Sequence, residues 1–219
     1  MRRGTMTHAE PAQEREVGVG PHPEPWPEDP HLDPELLAHG DRRNVLDRYR
    51  YWRREAIIAH LDTSRTALHV AIENLEHDAN IGSVVRTANA FNVAAFHIVG
   101  RRRWNRRGAM VTDRYQHELH HPDAASLAAW ARAQGLSIVA MDLVPGAMPI
   151  EHTALPRDCL LVFGQEGPGL SEDLLAAADQ VVGISQFGST RSINVAAAAA
   201  IAMHTWVVQH VDVPRGPLA

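Results

Sequence analysis

The chain of 219 residues reads as an α/β protein built on a parallel sheet, and three stretches predict it. Residues 67–75, ALHVAIENL, place Leu68, Val70 and Ile72 in alternation, the period of a strand. The helical text SVVRTANAFN follows and runs into a second apolar run, VAAFHIVG at residues 93–100. Strand, helix and strand in that order imply a parallel crossover. Near the C-terminus, VAAAAAIAMHTWVV at residues 195–208 has only His204 and Thr205 as polar positions. Alanine is the best helix former, so this run is predicted helical. A helix apolar on every face is predicted to be buried. Its length, about 20 Å, is too short to cross a bilayer.

The remaining elements follow in chain order. Residues 1–34 are rich in proline and acid (PHPEPWPEDP) without hydrophobic periodicity, and are expected to be a disordered or loosely docked leader. Residues 35–65 form a helical extension that Gly40 breaks or kinks. Its second half carries Arg42, Arg43, Arg48, Arg50, Arg53 and Arg54 beside Tyr49, Tyr51 and Trp52. Arginine among aromatics suits phosphates and exposed bases; an amphipathic helix whose aromatics pack on the main domain is the other reading. Residues 66–210 form the sheet domain. Within it a helix is expected over residues 123–134, strands over 136–144, 159–164 and 180–185, and a helix at LSEDLLAAA with Ser171 as its cap. Residues 211–219 are a C-terminal tail. The six arginines and one acid of residues 101–114 follow a strand end, where α/β proteins bind ligands, so a nucleic-acid contact is weighed there against a solvated loop.

Composition narrows the function. A single cysteine, Cys159, precludes an internal disulfide, fits a reducing compartment, and in an apolar strand reads as an inert core thiol. No secretory signal or membrane anchor is visible, so a cytoplasmic protein is expected. The net charge of −5 argues weakly against nucleic acid, but all 21 basic residues are arginine and they cluster. Arginine offers a planar fork for phosphate and stacks on bases.

Two familiar motifs fail on inspection. GQEGPG after a strand lacks the lysine of a Walker loop, and its glycines, Gly164, Gly167 and Gly169, do not have the dinucleotide-binding spacing. They still require the backbone to bend sharply beside something, with Glu166 held in the bend. His117, Glu118 and His121 match H-E-x-x-H, which needs one helix; Pro122 follows directly and disfavours helical geometry. No metal is expected.

Three motifs together resemble the SPOUT superfamily of RNA methyltransferases, in its SpoU/TrmH branch of ribose 2′-O-methyltransferases. They are NIGSVVRTANAF with Asn80 and Arg86, LVFGQEGPGLS with Glu166, and ISQFGSTRSINVAAAAAIA with Ser192 and Asn194. Their order and spacing cover about two-thirds of the chain. The resemblance implies a C-terminal deep trefoil knot, a homodimer with the active site at the subunit interface, and S-adenosylmethionine held by backbone near Gly164, Ile184 and Ile193. It implies catalytic roles for Asn80, Arg86, Glu166, Ser192 and Asn194. The plainer reading of Asn80 and Ser192 is that they are ordinary helix caps. Arg101, Arg102, Arg103, Arg106, Arg107, Arg50 and Arg53 are the expected RNA contacts, on tRNA in preference to rRNA. The rival readings are a non-catalytic RNA-binding or assembly protein on the same fold, and a base-directed methyltransferase.

Overall fold

The structure, a computed structural model, describes residues 18–73, 77–100, 104–165, 167–190 and 192–216. It divides into two compact units, with the boundary between Arg53 and Arg54.

The first unit is organised by one buried carboxylate. Helix α1 (Pro34–His39) starts from Asp33, whose side chain accepts from Glu35 N–H, and ends at Gly40 with φ +88°. Asp41 follows, fully buried. It accepts from Arg43 N–H, Nε and Nη2 and from Tyr51 N–H, at 3.0, 2.8, 2.7 and 3.0 Å. Burial alone would raise its pKa, but these hydrogen bonds outweigh it and hold the carboxyl below the usual range. A side chain that captures backbone N–H groups competes with helix formation. The expected helix over the second half of the extension is therefore replaced by a short 3-10 turn, Asp47–Tyr49, before helix α2 (Arg54–Asp62) opens the second unit. The described part of the leader is tied down: Val19 bridges Asp41, Leu32 bridges Trp52, and His31 stacks on Trp52. Residues 1–17 lie outside the described residues.

The second unit is a seven-stranded sheet between helices. Its strands are β1 (His69–Glu73), β2 (Ala95–Val99), β3 (Glu118–His121), β4 (Ser137–Met141), β5 (Met148–Pro149), β6 (Cys159–Phe163) and β7 (Gln180–Gly183). The order is β3-β2-β1-β6-β4-β7-β5, and every pair is parallel. Alternate side chains point to opposite faces of a strand, so two cores form. Val70, Ile72, Val139, Leu161 and Phe163 pack under helices α3 (Asp78–Ala90) and α6 (Val195–His210). Ala71, Ile138, Ala140, Leu160 and Val162 pack under α4 (Ala124–Ala133) and α5 (Glu172–Ala177). Ser171 caps α5 through Leu174 N–H, as its position in the sequence predicts.

Two outcomes of the sequence reading matter, and the second departs from expectation. Glu118 and His121 belong to strand β3, so the H-E-x-x-H residues do not share a helix. Helix α6 is not buried all round. Val195, Ala199, Ala202, Met203 and Trp206 face the core, while Ala197, Ile201, His204 and Val208 are exposed. Spacings of four, three and four make these a single stripe along the helix. Cys159 is fully buried, and burial pushes its thiol up to about 12, which keeps it protonated and inert.

Beneath α4, three histidines from adjacent strands form a chain. His69 Nδ1 lies 3.1 Å from His97 Nε2, and His97 Nδ1 lies 3.0 Å from His121 Nε2; Trp130 packs against all three rings. Burial lowers His69 to about 4 and, with its two neighbours, His97 to about 2. From about pH 6.5 down to about 4 for His69, and on to about 2 for His97, the unfolded chain therefore binds protons that the folded chain refuses. Stability is complete above that window and is lost as the pH falls through it. Thermal melting from pH 7.5 to 4.5 should show a falling midpoint, with a shallower fall in His97→Leu; an equal fall in both would remove the histidine chain as its cause.

Candidate active site

The carboxyl ends of β4, β6 and β7 open into one cleft of about 530 Å³. This is where parallel sheets bind ligands, and the size is that of a small-molecule site. One wall is the turn after β6. A Cβ on Gly164 would lie 2.2 Å from the carbonyl carbon of Gly169, so two backbone segments meet there with no room for a side chain. Gln165 and Gly169 exchange backbone hydrogen bonds of 3.0 and 3.2 Å, and Gly169 takes φ +74°. The turn is pinned by Asp142, the residue after β4. Its Oδ2 accepts from Leu170 N–H at 2.9 Å and its Oδ1 from Leu143 N–H at 2.7 Å. Buried Glu73, at the end of β1, accepts from Ser171 N–H at 2.8 Å.

The opposite wall is the segment between β7 and α6. Ser185 is fastened at its start: its N–H and hydroxyl donate to Glu151 at 3.1 and 2.9 Å. Ile184, Ser192, Ile193 and Asn194 line the cleft with Gly164. Asn194 closes the segment. Its Oδ1 accepts from Ala196 and Ala197 N–H at 2.9 and 3.3 Å, capping α6, while its Nδ2 donates to Asn80 Oδ1 at 3.0 Å. Residues 114 positions apart thus join the N-terminal turns of α3 and α6. At the far end Phe91, the cap of α3, meets the ring of His204, so the two helices run side by side in the same direction.

The other expected residues are placed as follows. Arg86 is exposed on α3, outside the lining of the cleft, with no hydrogen bond or ion pair among the described residues. Ala79, Ser83, Arg86 and Ala90 form the exposed stripe of that helix. Glu166 and Arg101, Arg102 and Arg103 lie outside the described residues. Arg106 is engaged by Asp113 and Glu118 at 3.0 and 2.9 Å and lies over Trp104, whereas Arg107 and Arg114 are exposed. Arg50 turns inward, donating to the Arg43 carbonyl, and Arg53 donates to the Leu32 carbonyl while remaining exposed. Sequence reasoning missed Glu73, Asp142 and Glu151. For the first two a signal exists: an acid directly after the apolar run of a strand, in AIE and AMD.

The model of the SpoU rRNA Methylase family matches residues 67–204. The chain belongs to this family. The tRNA (guanosine(18)-2′-O)-methyltransferase of Escherichia coli (strain K12) is 28% identical over 140 residues, covering 63% of this chain and 61% of that relative. This chain thus spans about three-fifths of that relative's length. The enzyme of the same name from Borreliella burgdorferi is 26% identical over 182 residues, with 81% and 82% covered. The TrmH/SpoU tRNA modifying enzyme of A. aeolicus superposes with a TM-score of 0.65 at 21% identity, over 72% of this chain and 82% of that one. The SpoU methyltransferase AviRb from Streptomyces viridochromogenes, in complex with AdoMet, gives 0.62 at 22% identity, over 69% and 61%. These structures share the fold. None of the helices among the described residues is long and apolar enough to cross a membrane.

Because Asn194 both caps α6 and holds Asn80, its replacement should loosen two elements at once. Asn194→Ala is expected to lower stability by about 1–2 kcal/mol and Asn80→Ala by less, measured by chemical denaturation. Equal small effects would mean that the cap carries no weight.

Proposed function

We propose that this SpoU family member transfers a methyl group from S-adenosylmethionine to a ribose 2′-hydroxyl of RNA, with tRNA favoured over rRNA. The observation that supports the proposal is a cleft lined by the second and third motifs, with Asn194 of the third bonded to Asn80 of the first. The names of the tRNA-acting relatives support the substrate class, and a cytoplasmic setting goes with it. The cleft fits the cofactor: crowded glycines bring bare backbone to its wall, and its lining is largely uncharged. Gly164, Ile184 and Ile193 would hold it there. S-adenosylmethionine supplies a methyl group activated on a sulfonium. Its location between the turn after β6 and the segment before α6 suits the trefoil knot that the family resemblance implies, with the C-terminal segment threaded through a loop.

The chain's own groups then have the following roles. Asn80, Ser192 and Asn194 orient the ribose. Arg86 clamps a neighbouring phosphate and stabilises the alkoxide character that develops on the attacking oxygen. A guanidinium does not deprotonate in a protein, so the proton leaves to phosphate or water. Glu166 positions Arg86 or the turn that carries it. Exposed Arg107 and Arg114, with Arg101, Arg102 and Arg103, track the phosphate backbone, a contact weakened by salt. Arg106 braces that loop through Asp113 and Glu118, while Arg50 and Arg53 donate to carbonyls within the first unit.

The active unit is a homodimer. The stripe of Ala197, Ile201, His204 and Val208 on α6 lies beside α3, whose stripe of Ala79, Ser83 and Ala90 is interrupted only by Arg86. Apolar and small residues in two adjacent rows make a surface suited to a second copy. With the active site at the subunit interface, as the family resemblance implies, Arg86 would serve the partner's cleft. Arg86→Ala should reduce methyl transfer at least about a hundredfold, the scale of a lost electrostatic stabiliser, with cofactor affinity unchanged. Ile201→Arg should yield monomers by ultracentrifugation and lose activity with them. Full turnover by Arg86→Ala would overturn the mechanism, and a dimeric Ile201→Arg the interface.

A further inference from the structure

Asp142 is the only ionisable residue lining the cleft among the described residues. Its two oxygens already accept the N–H groups of Leu143 and Leu170. Gly169 closes over the same carboxylate so tightly that a Cβ there would stand 2.6 Å from Oδ2. The group is therefore fixed in orientation, its in-plane lone pairs toward the turn are occupied, and it is not free to swing out and grip a diol with both oxygens. Hydrogen bonding does not discharge it: a carboxylate that accepts two N–H bonds keeps its negative charge. It is half-buried and shares the cleft wall with Met141, Phe163, Val182 and glycine backbone, so its charge is only partly screened.

We propose that Asp142 is a specificity-determining residue for the cofactor, favouring the sulfonium form over the spent thioether by charge. The inference rests on the functional reading above. In the transfer, a lone pair of the ribose 2′-oxygen forms the new O–C bond while the C–S bond breaks and its electron pair returns to sulfur. The 2′-hydroxyl proton is released, and the sulfur loses its positive charge. A fixed anion lining the cleft therefore attracts S-adenosylmethionine and loses that attraction once S-adenosylhomocysteine has formed, which favours exchange of product for fresh cofactor. Asp142 also acts mechanically, by pinning the turn. The two roles differ in what they do to the two ligands: pinning supports both equally, and charge supports one.

Calorimetry of the full-length protein with each ligand separates them. In Asp142→Asn the affinity for S-adenosylmethionine should fall about tenfold or more, and that for S-adenosylhomocysteine about threefold or less, a gap of the size expected for one charge in a partly screened site. Melting of the ligand-free variant checks that it folds. Equal losses for both ligands would overturn the inference and leave Asp142 as a pin alone. Should the variant not fold, the wild type suffices. Binding of S-adenosylmethionine, and of an analogue with an amine in place of the sulfonium, should weaken with added salt more than binding of S-adenosylhomocysteine; parallel salt dependences would overturn the proposal. A wild type that binds neither ligand would instead refute the functional reading.

Discussion

One amide holds the site together. Asn194 uses its oxygen to cap α6 and its nitrogen to hold Asn80, so that two helices from opposite ends of the second unit begin at the same point. The first turn of a helix presents N–H groups without partners and a positive end of the dipole. The N-terminal end of α6 borders the cleft, and the positive end of its dipole favours negative charge nearby before any charged side chain is added. An alanine at this position would leave the start of α6 without its side-chain cap and remove the bond that ties it to Asn80. The segment from Ser185 to Asn194 would then keep its fastening to Glu151 at its beginning and lose the one at its end.

The rest of the cleft is made by carboxylates that hold backbone and glycines that let backbone meet. Glu73 and Asp142 each follow or end a strand and accept an N–H from the stretch between Leu170 and Ser171. Gly164 and Gly169 touch where no side chain fits. A ligand there meets main chain rather than side chains. This accounts for a nucleotide-like glycine pattern in a chain that has neither the lysine of a Walker loop nor the spacing of a dinucleotide fold. The glycines serve close approach of two protein segments as much as approach to a ligand.

Much of this was legible before the coordinates. Leu68, Val70 and Ile72 announced β1 by alternation, and Ser171 and the alanine run announced α5 and α6, because local periodicity and capping determine such elements. Strand β3 was hidden inside the H-E-x-x-H pattern; at four residues, with two histidines, its strand character comes from pairing with β2 and not from its own composition. The exposed stripe of α6 escaped because an all-apolar sequence carries no mark of which face meets the core and which stays exposed. The loop after Gly40 was misread as helix because a buried Asp41 looks, in sequence, like any solvated acid. The meeting of Asn80 with Asn194 was expected only through the family resemblance. No local rule links residues so far apart, and their spacing along the helices gives no hint of it.

The central claim is that this cleft directs an activated methyl group to a sugar oxygen. The most direct measurement is to incubate the protein with S-adenosylmethionine labelled in its methyl group and unmodified tRNA, digest the RNA to nucleosides, and locate the label by mass spectrometry. The account predicts label on the ribose of a 2′-O-methylnucleoside, and none when Arg86 is replaced by alanine. Label on a base, or binding of the RNA without any transfer of label, would contradict it.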